Sequence, residues 1–405
     1  MLRYGGSLSI SDIASTYVNK VGMSKTGSII YILPVPNFFS QAGGVGGHVA
    51  HSYGIVNGFA KLGYELDIIA DETLPIIEND KTRLHIRPIE KASFLRRQVW
   101  GLGLIRLVKR IAQKRRPLFC YARYSVGFTL LFAALKRVLV DIPFVLEVNS
   151  FGTQYYNWLK FIDLWALNYA DIIICVSETV RRKILVKVSQ KFDSKIIVLP
   201  NGVDVDRFEE IEPDFSFFKQ KKNIKLGYAG ILKSDYDFDV LLDAYSMVRK
   251  QKNDINLHFF GDGPYYKRLK AKVDSIDGVA LQGPVPFEKM PSILKCFDIL
   301  IDPLSDKNAY GCPTKLYEYM AAGIPVVAAE TPPVRELLGS NERGLLYPIG
   351  DSMMLSRQIL RLIDNPELGQ KLADKAFNEV ESNHSWQNRI LTILDELTQR
   401  GLIAG

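Results

Sequence analysis

Two charged residues stand alone in an otherwise apolar helical segment. Lys315 and Glu318 are the only charged residues between Pro313 and Pro325, and their separation of three places them on one helix face. Lys315 falls in the first turn, where the helix dipole disfavours a cation unless an anion binds there. A nucleotide diphosphate on Lys315, with its ribose hydroxyls on Glu318, would account for both charges. A mutual Lys–Glu surface pair is the alternative.

A second candidate anion site is a glycine-rich loop at 43–47, which precedes a helix predicted to start near His48. Backbone N–H groups in such a loop can approach a phosphate closely. The loop is not the dinucleotide fingerprint, because Val49 occupies the position of the third glycine, and this disfavours a nicotinamide enzyme. His48 and His51 have a spacing that could bind a metal, but no third ligand is evident, so we predict none. A flexible connector is the alternative.

The elements that must position these residues alternate along the chain in two blocks. Nearly continuous hydrophobic runs, typical of parallel strands covered on both faces, occur at 28–34, 65–70, 144–148, 172–176 and 196–199. The same rhythm of strand and helix restarts at Ile224 and continues to the strand "IPVVAAE". We therefore predict an α/β protein with two facing Rossmann-like, doubly wound domains, whose ligands lie beyond the carboxyl ends of the strands.

A basic helix is predicted in the first block. Residues 91–140 contain many lysines and arginines but no aspartate or glutamate. Within 96–116, apolar residues recur at helical spacing, and the charged residues Arg106, Lys109, Arg110 and Lys114 fall largely on another side. The helix could simply pack on the sheet, or it could also lie on an anionic membrane surface. Nucleic acid is disfavoured, because stacking aromatic residues are sparse.

Composition bounds the class of protein. A chain of 405 residues, 47% hydrophobic and 23% charged, suits two ordinary globular domains. No run of 18 apolar residues predicts a membrane-spanning helix. The four cysteines are scattered, which favours a reducing cytoplasm over a disulfide framework. Asp204 and Asp206 are one residue apart but follow the turn sequence Pro-Asn-Gly, so we interpret Asp204 as a turn residue rather than a metal ligand.

Several stretches, taken in order, resemble the family 4 glycosyltransferases of GT-B fold. They are "GGVGGHV", "ADIIICVSETVRRKI", "IIVLPNGVDVDRF", "KLGYAG", "LHFFGDGP", "FDILIDP" and "PTKLYEYMAAGIPVVA", and "HSWQNRILTIL" is similar to the terminal helix that crosses back to the first domain. The ordered set covers nearly the whole chain. The resemblance implies sugar transfer from a nucleotide-activated donor without a bound metal or other cofactor, usually with retention of configuration at the anomeric carbon.

The chain departs from the family pattern in the donor domain. The second carboxylate of the family's E-x7-E motif maps onto Glu318, but the first maps onto Tyr310, as in a branch of the family with similar donor helices. The basic residues that normally hold the diphosphate fall on Ile231 and Tyr236. Lys315, or else Lys233, is the expected substitute.

Composition and the alternation of strands and helices, taken with this resemblance, predict five parts: a disordered lead-in at 1–26, an acceptor-side domain at 27–205, a linker at 206–222, a nucleotide-sugar-binding domain at 223–384 and a terminal helix at 385–405. The residues assigned to catalysis are Lys315, Glu318 and Glu147. His48 and Asn149 are assigned to the acceptor side. The residues assigned to nucleotide-sugar binding are Gly46, Gly47, Gly230, Lys233, Gly261, Asp262, Pro286, Tyr310, Gly311, Cys312, Pro313, Thr314, Lys315, Leu316 and Glu318. Glu147 could instead be an ordinary strand-end residue.

The main functional hypothesis is a metal-independent hexosyltransferase at the cytoplasmic membrane surface. It would transfer a sugar from a UDP- or GDP-sugar to a lipid-linked or polysaccharide acceptor in envelope or exopolysaccharide synthesis. The alternative is an inactive, regulatory glycosyltransferase-like protein, because Tyr310 replaces a carboxylate. A third reading is another two-domain enzyme, such as a nucleotide-sugar epimerase.

Overall fold

The computed structural model describes residues 27–33, 47–71, 80–87, 94–219, 222–308 and 312–404. The lead-in at 1–26, most of the glycine-rich loop, and Tyr310 with Gly311 lie outside the described residues. The described chain forms two parallel β-sheets, each covered by helices.

The first sheet has seven strands in the order β3-β2-β1-β4-β5-β6-β7, and every pairing is parallel. The strands are β1 (Ser28–Leu33), β2 (Glu65–Ala70), β3 (Thr82–Ile86), β4 (Phe119–Arg123), β5 (Phe144–Val148), β6 (Ile172–Cys175) and β7 (Ile196–Val198). The helices are α1 (Gly47–Lys61), α2 (Phe94–Arg115), α3 (Thr129–Val138), α4 (Gly152–Tyr155), α5 (Lys160–Asn168) and α6 (Glu178–Lys187). Strands β1, β4, β5 and β6 are almost entirely buried, and their hydrophobic runs predicted all of them except β4.

The second sheet has six strands in the order β10-β9-β8-β11-β12-β13, again all parallel. The strands are β8 (Ile224–Ala229), β9 (Ile255–Phe260), β10 (Val279–Gly283), β11 (Ile299–Asp302), β12 (Val326–Ala329) and β13 (Leu345–Tyr347). The helices are α7 (Phe238–Arg249), α8 (Tyr266–Val273), α9 (Met290–Leu294), α10 (Thr314–Ala321), α11 (Pro332–Leu338), α12 (Ser352–Asp364) and α13 (Pro366–Asn383). These two sheets confirm the predicted α/β class; the exact domain boundaries stay predictions.

The last helix, α14 (Trp386–Gln399), returns to the first domain as predicted. Ser385 caps it by accepting a hydrogen bond from the Asn388 N–H at 3.1 Å. Trp386 and Ile390 are buried against α1 and the first sheet. The approach is so close that a Cβ on Gly54 of α1 would lie 1.9 Å from the Trp386 ring. The terminal helix is therefore part of the first domain's core.

The basic helix packs on the first sheet. Leu104, Val108 and Ile111 of α2 are buried in that core. The side chains on the opposite face, Arg106, Lys109, Arg110 and Lys114, are exposed. Packing on the sheet thus explains the apolar face of α2, while the basic face lies in solvent. None of the helices that the structure describes is long and apolar enough to cross a bilayer.

Candidate functional site

A cavity of about 370 Å³ lies between the two domains, where the carboxyl ends of β8, β11 and β5 approach one another. The first domain contributes Ala50, His51, Arg123, Asn149, Val176 and Asn201, and the second contributes Ala229, Gly230, Ile231, Lys233, Tyr236, Phe287, Met290, Asp302, Leu304, Cys312, Pro313, Thr314, Lys315 and Glu318. This is where open α/β sheets bind ligands. The cavity brings together polar side chains that are far apart in the sequence.

Lys315 projects from the first turn of α10 onto aromatic rings and a carboxylate. Its Nζ lies 3.1 Å from Asp302 Oδ1, at the end of β11, and 3.2 Å from the hydroxyl of Tyr228. The same ammonium lies 3.3 Å from the ring centre of Tyr236. These contacts fix its position between a carboxylate and electron-rich ring faces. The surface pair with Glu318, considered from the sequence, is not formed; Lys315 pairs with Asp302 instead.

The burial of this pair disfavours both charges. Burial lowers the pKa of Lys315 to about 8, although the charge of Asp302 acts in the opposite direction. Burial also raises the pKa of Asp302, although Lys315 opposes that shift. An anion in the cavity would add negative charge beside Lys315 and would stabilise its protonated form.

Glu318 lies one turn further along α10 and faces an arginine. Its Oε1 is 3.5 Å from Arg207 Nη1, a loose contact between two largely buried side chains. Arg207 also donates a hydrogen bond to the Phe287 carbonyl and stacks on the Phe287 ring, 3.6 Å from its centre. Burial raises the pKa of Glu318, while Arg207 opposes the rise. The carboxylate therefore has capacity for further hydrogen bonds inside the cavity.

Two glycine loops leave space for the Lys315 side chain. A Cβ on Gly230 would lie 3.0 Å from Lys315 Cε, and Gly230 has a φ of +152°. Gly261, with a φ of +135°, approaches that loop so closely that its Cβ would lie 1.9 Å from the Gly230 carbonyl oxygen. Both positions therefore require glycine.

Gly261→Ala should destabilise the second domain. The added methyl group must push the Gly230 loop away and would occupy a left-handed backbone region, so we expect a loss of about 1–3 kcal/mol in the free energy of unfolding. Urea unfolding measures this. Gly350→Ala is the matched control, because Gly350 also has positive φ but no atom lies within 4 Å of its added Cβ. Equal losses in both variants would mean that the close approach to Gly230 is unimportant.

Glu147 anchors a buried polar network beneath the cavity. It is fully buried, its Oε1 lies 2.6 Å from His51 Nε2, and its Oε2 accepts a hydrogen bond from the Tyr121 hydroxyl. With its amide nitrogen turned toward Glu147, Asn149 donates to Oε1 at 2.9 Å and accepts from Arg123 at 2.8 Å. Burial by itself would raise the pKa of Glu147, but His51 and the nearby arginines hold it well below its ordinary range. Burial lowers the pKa of His51.

Arg389 of α14 joins this network from the far end of the chain. Its Nη2 lies 3.5 Å from Glu147 Oε1, and its Nη1 donates to the Tyr121 hydroxyl at 3.3 Å. It also donates to the carbonyl of Pro200 at 3.0 Å, in the segment that leaves the first domain. One buried arginine thus links the returning helix, the first sheet and the start of the linker.

The other predicted residues are placed as follows. Gly230, Lys233, Cys312, Pro313, Thr314, Lys315, Glu318 and Asn149 line the cavity. Leu316 is buried on the far side of α10, Asp262 and Pro286 are exposed outside the lining, and Glu147 lies beneath it. Direct contact of Glu147 with a substrate does not fit this burial. Gly47 begins α1, but the side chain of His48, Gly46, Tyr310 and Gly311 lie outside what the structure describes.

Asp204 and Asp206 take part in a 3₁₀ turn through their backbone carbonyls, but their side chains bind α1. Lys61 of α1 contacts Asp204 at 2.9 Å and Asp206 at 2.6 Å, and Asn57 donates to Asp204 at 3.1 Å. The side chain of Asp204 does not cap the 3₁₀ turn that follows it. Asp204 is therefore in a turn, as the sequence predicted, but its side chain attaches this segment to α1 instead of capping the turn.

Within the described residues, no group of three or more His, Cys, Asp or Glu side chains could hold a metal ion. The expectation of a metal-independent reaction stays a prediction.

Sequence reasoning missed four polar residues of the site: Asp302, Arg207, Arg389 and Arg123. It considered His51 only as a metal ligand. Asp302 ends a strand that the sequence did predict, so its place at the cleft edge could have been inferred. The arginines carry no comparable signal, because their partners are distant in sequence.

Comparisons with known proteins identify related families and related structures. Residues 45–207 match the family described as Glycosyltransferase Family 4, and residues 223–365 match the one described as Glycosyl transferases group 1. An uncharacterized glycosyltransferase of Methanocaldococcus jannaschii is 27% identical over 67% of this chain and 70% of its own length. The alpha-monoglucosyldiacylglycerol synthase of Streptococcus pneumoniae is 24% identical over 58% of each chain. Anabaena HepE, solved with UDP and glucose, shares the fold with a TM-score of 0.72 at 15% identity, over 92% of this chain and 99% of that one.

Proposed function

Because this chain is a glycosyltransferase of the GT-B fold, we propose that it moves a sugar from a UDP- or GDP-sugar to a lipid-linked or polysaccharide acceptor. The donor occupies the second-domain side of the cavity, and the acceptor enters from the first domain. The reaction requires no metal and proceeds with retention at the anomeric carbon. The single observation that carries the proposal is the convergence of Lys315 and Glu318 in the cavity between the domains.

The diphosphate would bind at the start of α10. The positive end of the helix dipole and the Lys315 ammonium present positive charge to the same point. Departure of the nucleotide breaks the bond between the anomeric carbon and a phosphate oxygen, and negative charge develops on that oxygen. A preorganised cation stabilises this charge without rearrangement, which is the main source of catalysis in the proposal. Lys315 contacts Asp302 in the free protein, so the phosphate competes with that carboxylate.

The ribose would bind one turn deeper, at Glu318. A carboxylate can accept hydrogen bonds from two adjacent hydroxyls, and Arg207 holds the Glu318 carboxylate only loosely at 3.5 Å. Arg207 and the Phe287 ring beside it form one wall of this part of the cavity. The spacing of phosphate and ribose along a nucleotide suits the rise of one helical turn between the two side chains.

On the acceptor side, the buried network would orient His51 and Asn149 toward the transferred sugar or the acceptor. Glu147 is a positioning residue in this proposal, because it contacts His51 and Asn149 rather than the cavity itself. The acceptor hydroxyl attacks the anomeric carbon, and its proton passes to the departing phosphate oxygen. The name of the pneumococcal relative, a glycolipid synthase, and the exposed basic face of α2 support a membrane-borne acceptor at the cytoplasmic surface.

Glu318→Ala should weaken UDP and GDP binding by about tenfold or more, because two hydrogen bonds to a charged acceptor are lost. Isothermal titration with both nucleotides measures this. With a 2′-deoxy nucleotide, the affinities of the parent and of Glu318→Ala should differ much less. Glu288→Ala is the matched control, since Glu288 is exposed on a neighbouring turn outside the cavity. Unchanged affinity for both nucleotides in Glu318→Ala would show that the ribose binds elsewhere.

A protein that binds nucleotides without turnover is the second candidate. Tyr310 replaces a family carboxylate, and Lys315 is already paired with Asp302. A screen of UDP- and GDP-sugars for hydrolysis separates the two candidates. Release of free nucleotide from any donor supports transfer, whereas nucleotide binding with no turnover in the presence of membrane extracts supports the second candidate.

A further inference from the structure

Large hydrophobic side chains are exposed on two helical segments of the first domain. Tyr156, Trp158 and Phe161, around the start of α5, are 62%, 72% and 75% exposed. Val99 and Leu102, in the first half of α2, are 63% and 42% exposed. We refer to these five residues as the apolar rim. The transfer of such side chains out of water is favourable. Their exposure therefore indicates a surface that contacts a partner.

The apolar rim lies at the cavity end of the domain. Helices α2, α3 and α5 cover one face of the first sheet, and α2 and α5 each lead into a parallel strand. A helix that leads into a parallel strand starts at the carboxyl edge of the sheet. The position of Gly101 agrees, because a Cβ there would lie 3.0 Å from Leu131 at the start of α3. The rim therefore lies at the same edge as the cavity.

The aromatic part of the rim is held in place by a buried carboxylate. Asp163 accepts hydrogen bonds from the N–H groups of Gly152 at 2.9 Å and Thr153 at 2.5 Å. It also accepts from the hydroxyl groups of Thr153 and Tyr124. Leu159, between the exposed rings, is buried against the domain. The hydrogen bonds of Asp163 thus help to fix the backbone that carries the exposed rings. Asn149 of the cavity wall lies only a few residues before these rings in the sequence.

The charges around the rim are positive. The acidic residues between 91 and 170 are Asp141, Glu147 and Asp163. Glu147 and Asp163 are fully buried, and Asp141 follows the far end of α3. Lys160 is exposed between Trp158 and Phe161, and the basic face of α2 adjoins Leu102. Tyrosine and tryptophan beside lysine and arginine are the side chains that favour the interface of an anionic bilayer.

We propose that Tyr156, Trp158 and Phe161 insert into the headgroup region of an anionic bilayer, and that the basic face of α2 contacts the same bilayer. The cavity then opens at the membrane surface, and a lipid-borne acceptor reaches it without leaving the bilayer. This inference rests on the proposed function in one respect, which is that the acceptor is carried by a membrane lipid. A saccharide chain stacked on the same rings is the competing occupant.

The test uses the full chain and vesicles of phosphatidylglycerol and phosphatidylcholine in equal parts. The double variant Trp158→Ser/Phe161→Ser should partition at least about tenfold more weakly than the parent, and the fluorescence of Trp158 should shift to shorter wavelength when the parent binds. The double variant Val186→Ser/Met353→Ser is the matched control, because both side chains are exposed but lie outside the rim. It should bind the vesicles as the parent does.

Two further measurements separate the inference from the proposed function. Changing Arg106, Lys109, Arg110 and Lys114 to glutamate should abolish vesicle binding and remove its dependence on salt. The affinity for UDP should be unchanged in every rim variant. Donor binding, which belongs to the proposed function, is thus tested separately from membrane binding. The inference would be overturned if Trp158→Ser/Phe161→Ser bound vesicles as tightly as the parent. It would also be overturned if that variant lost binding to polysaccharide but kept binding to vesicles.

Discussion

Replacing Lys315 with alanine should lower kcat/KM for the nucleotide sugar by about 10²–10³-fold. In the proposed site this side chain is the cation nearest to the leaving diphosphate, and removal of one preorganised charge-stabilising group typically has an effect of this size. The loss should appear mainly in kcat, because charge on the phosphate oxygen grows as the glycosidic bond breaks. Steady-state kinetics with the best donor from the nucleotide-sugar screen measure the change.

Lys233→Ala is the matched control for this prediction. Lys233 also lines the cavity, but its ammonium pairs with Asp235 at 2.7 Å and is more exposed than that of Lys315. We expect a loss of less than about fivefold, as for a screened surface charge. The reverse ranking, with Lys233→Ala the more damaging variant, would place the diphosphate on the β8 loop and not on α10.

The pH dependence provides a second readout of the same residue. Burial lowers the pKa of Lys315 to about 8, so the free enzyme carries the ammonium below this pH and loses it as the pH rises. Donor affinity should therefore be constant below about pH 8 and should fall above it. Lys315→Arg retains its charge throughout this range, so the fall should disappear in that variant. A fall that persists in Lys315→Arg would assign the titration to another group.

The sequence was most informative where a residue and its partner are close in the chain. The i, i+3 spacing of Lys315 and Glu318 sufficed to place both on one face of α10, and both line the cavity. Continuous hydrophobic runs likewise predicted most of the buried strands, because burial on both faces requires them. Strands β3, β4 and β13 were missed. Strand β3 is partly exposed at the sheet edge and lacks such a run, β4 ends in the charged Arg123, and β13 has only three residues.

The contacts that set the charges in the site were not predictable in this way. Asp302 meets Lys315 only because β11 and the start of α10 meet at the cleft edge. Arg389 meets Glu147 across most of the chain, after α14 has returned to the first domain. A sequence pattern indicates which face of an element is buried, but it does not indicate which distant side chain lies opposite. Burial and pairing together decide the pKa values, so these too required the structure.

Glu147→Gln should separate folding from catalysis in the first domain. The change removes the negative charge that Arg389 faces, and breaking a buried ion pair in this way costs about 3–5 kcal/mol of unfolding free energy. Because the pKa of Glu147 is held low in the folded protein, its stabilising effect is complete at neutral pH and declines as the pH falls below the ordinary carboxyl range. The variant should therefore show a flatter decline in stability below about pH 5.

Turnover should fall in Glu147→Gln by about tenfold or more at a temperature where the protein remains folded, because His51 and Asn149 lose their orienting partner. UDP affinity should be unchanged, since Lys315 and Glu318 belong to the other domain. Asp163→Asn is the matched control: Asp163 is also fully buried and hydrogen-bonded, but it lies outside the cavity lining. It should lose stability and retain turnover with a soluble acceptor. Only Glu147 contacts the side chains that line the acceptor side of the cavity, so a positioning role predicts a larger loss of turnover in Glu147→Gln. Equal losses in the two variants would show that Glu147 has a structural role alone.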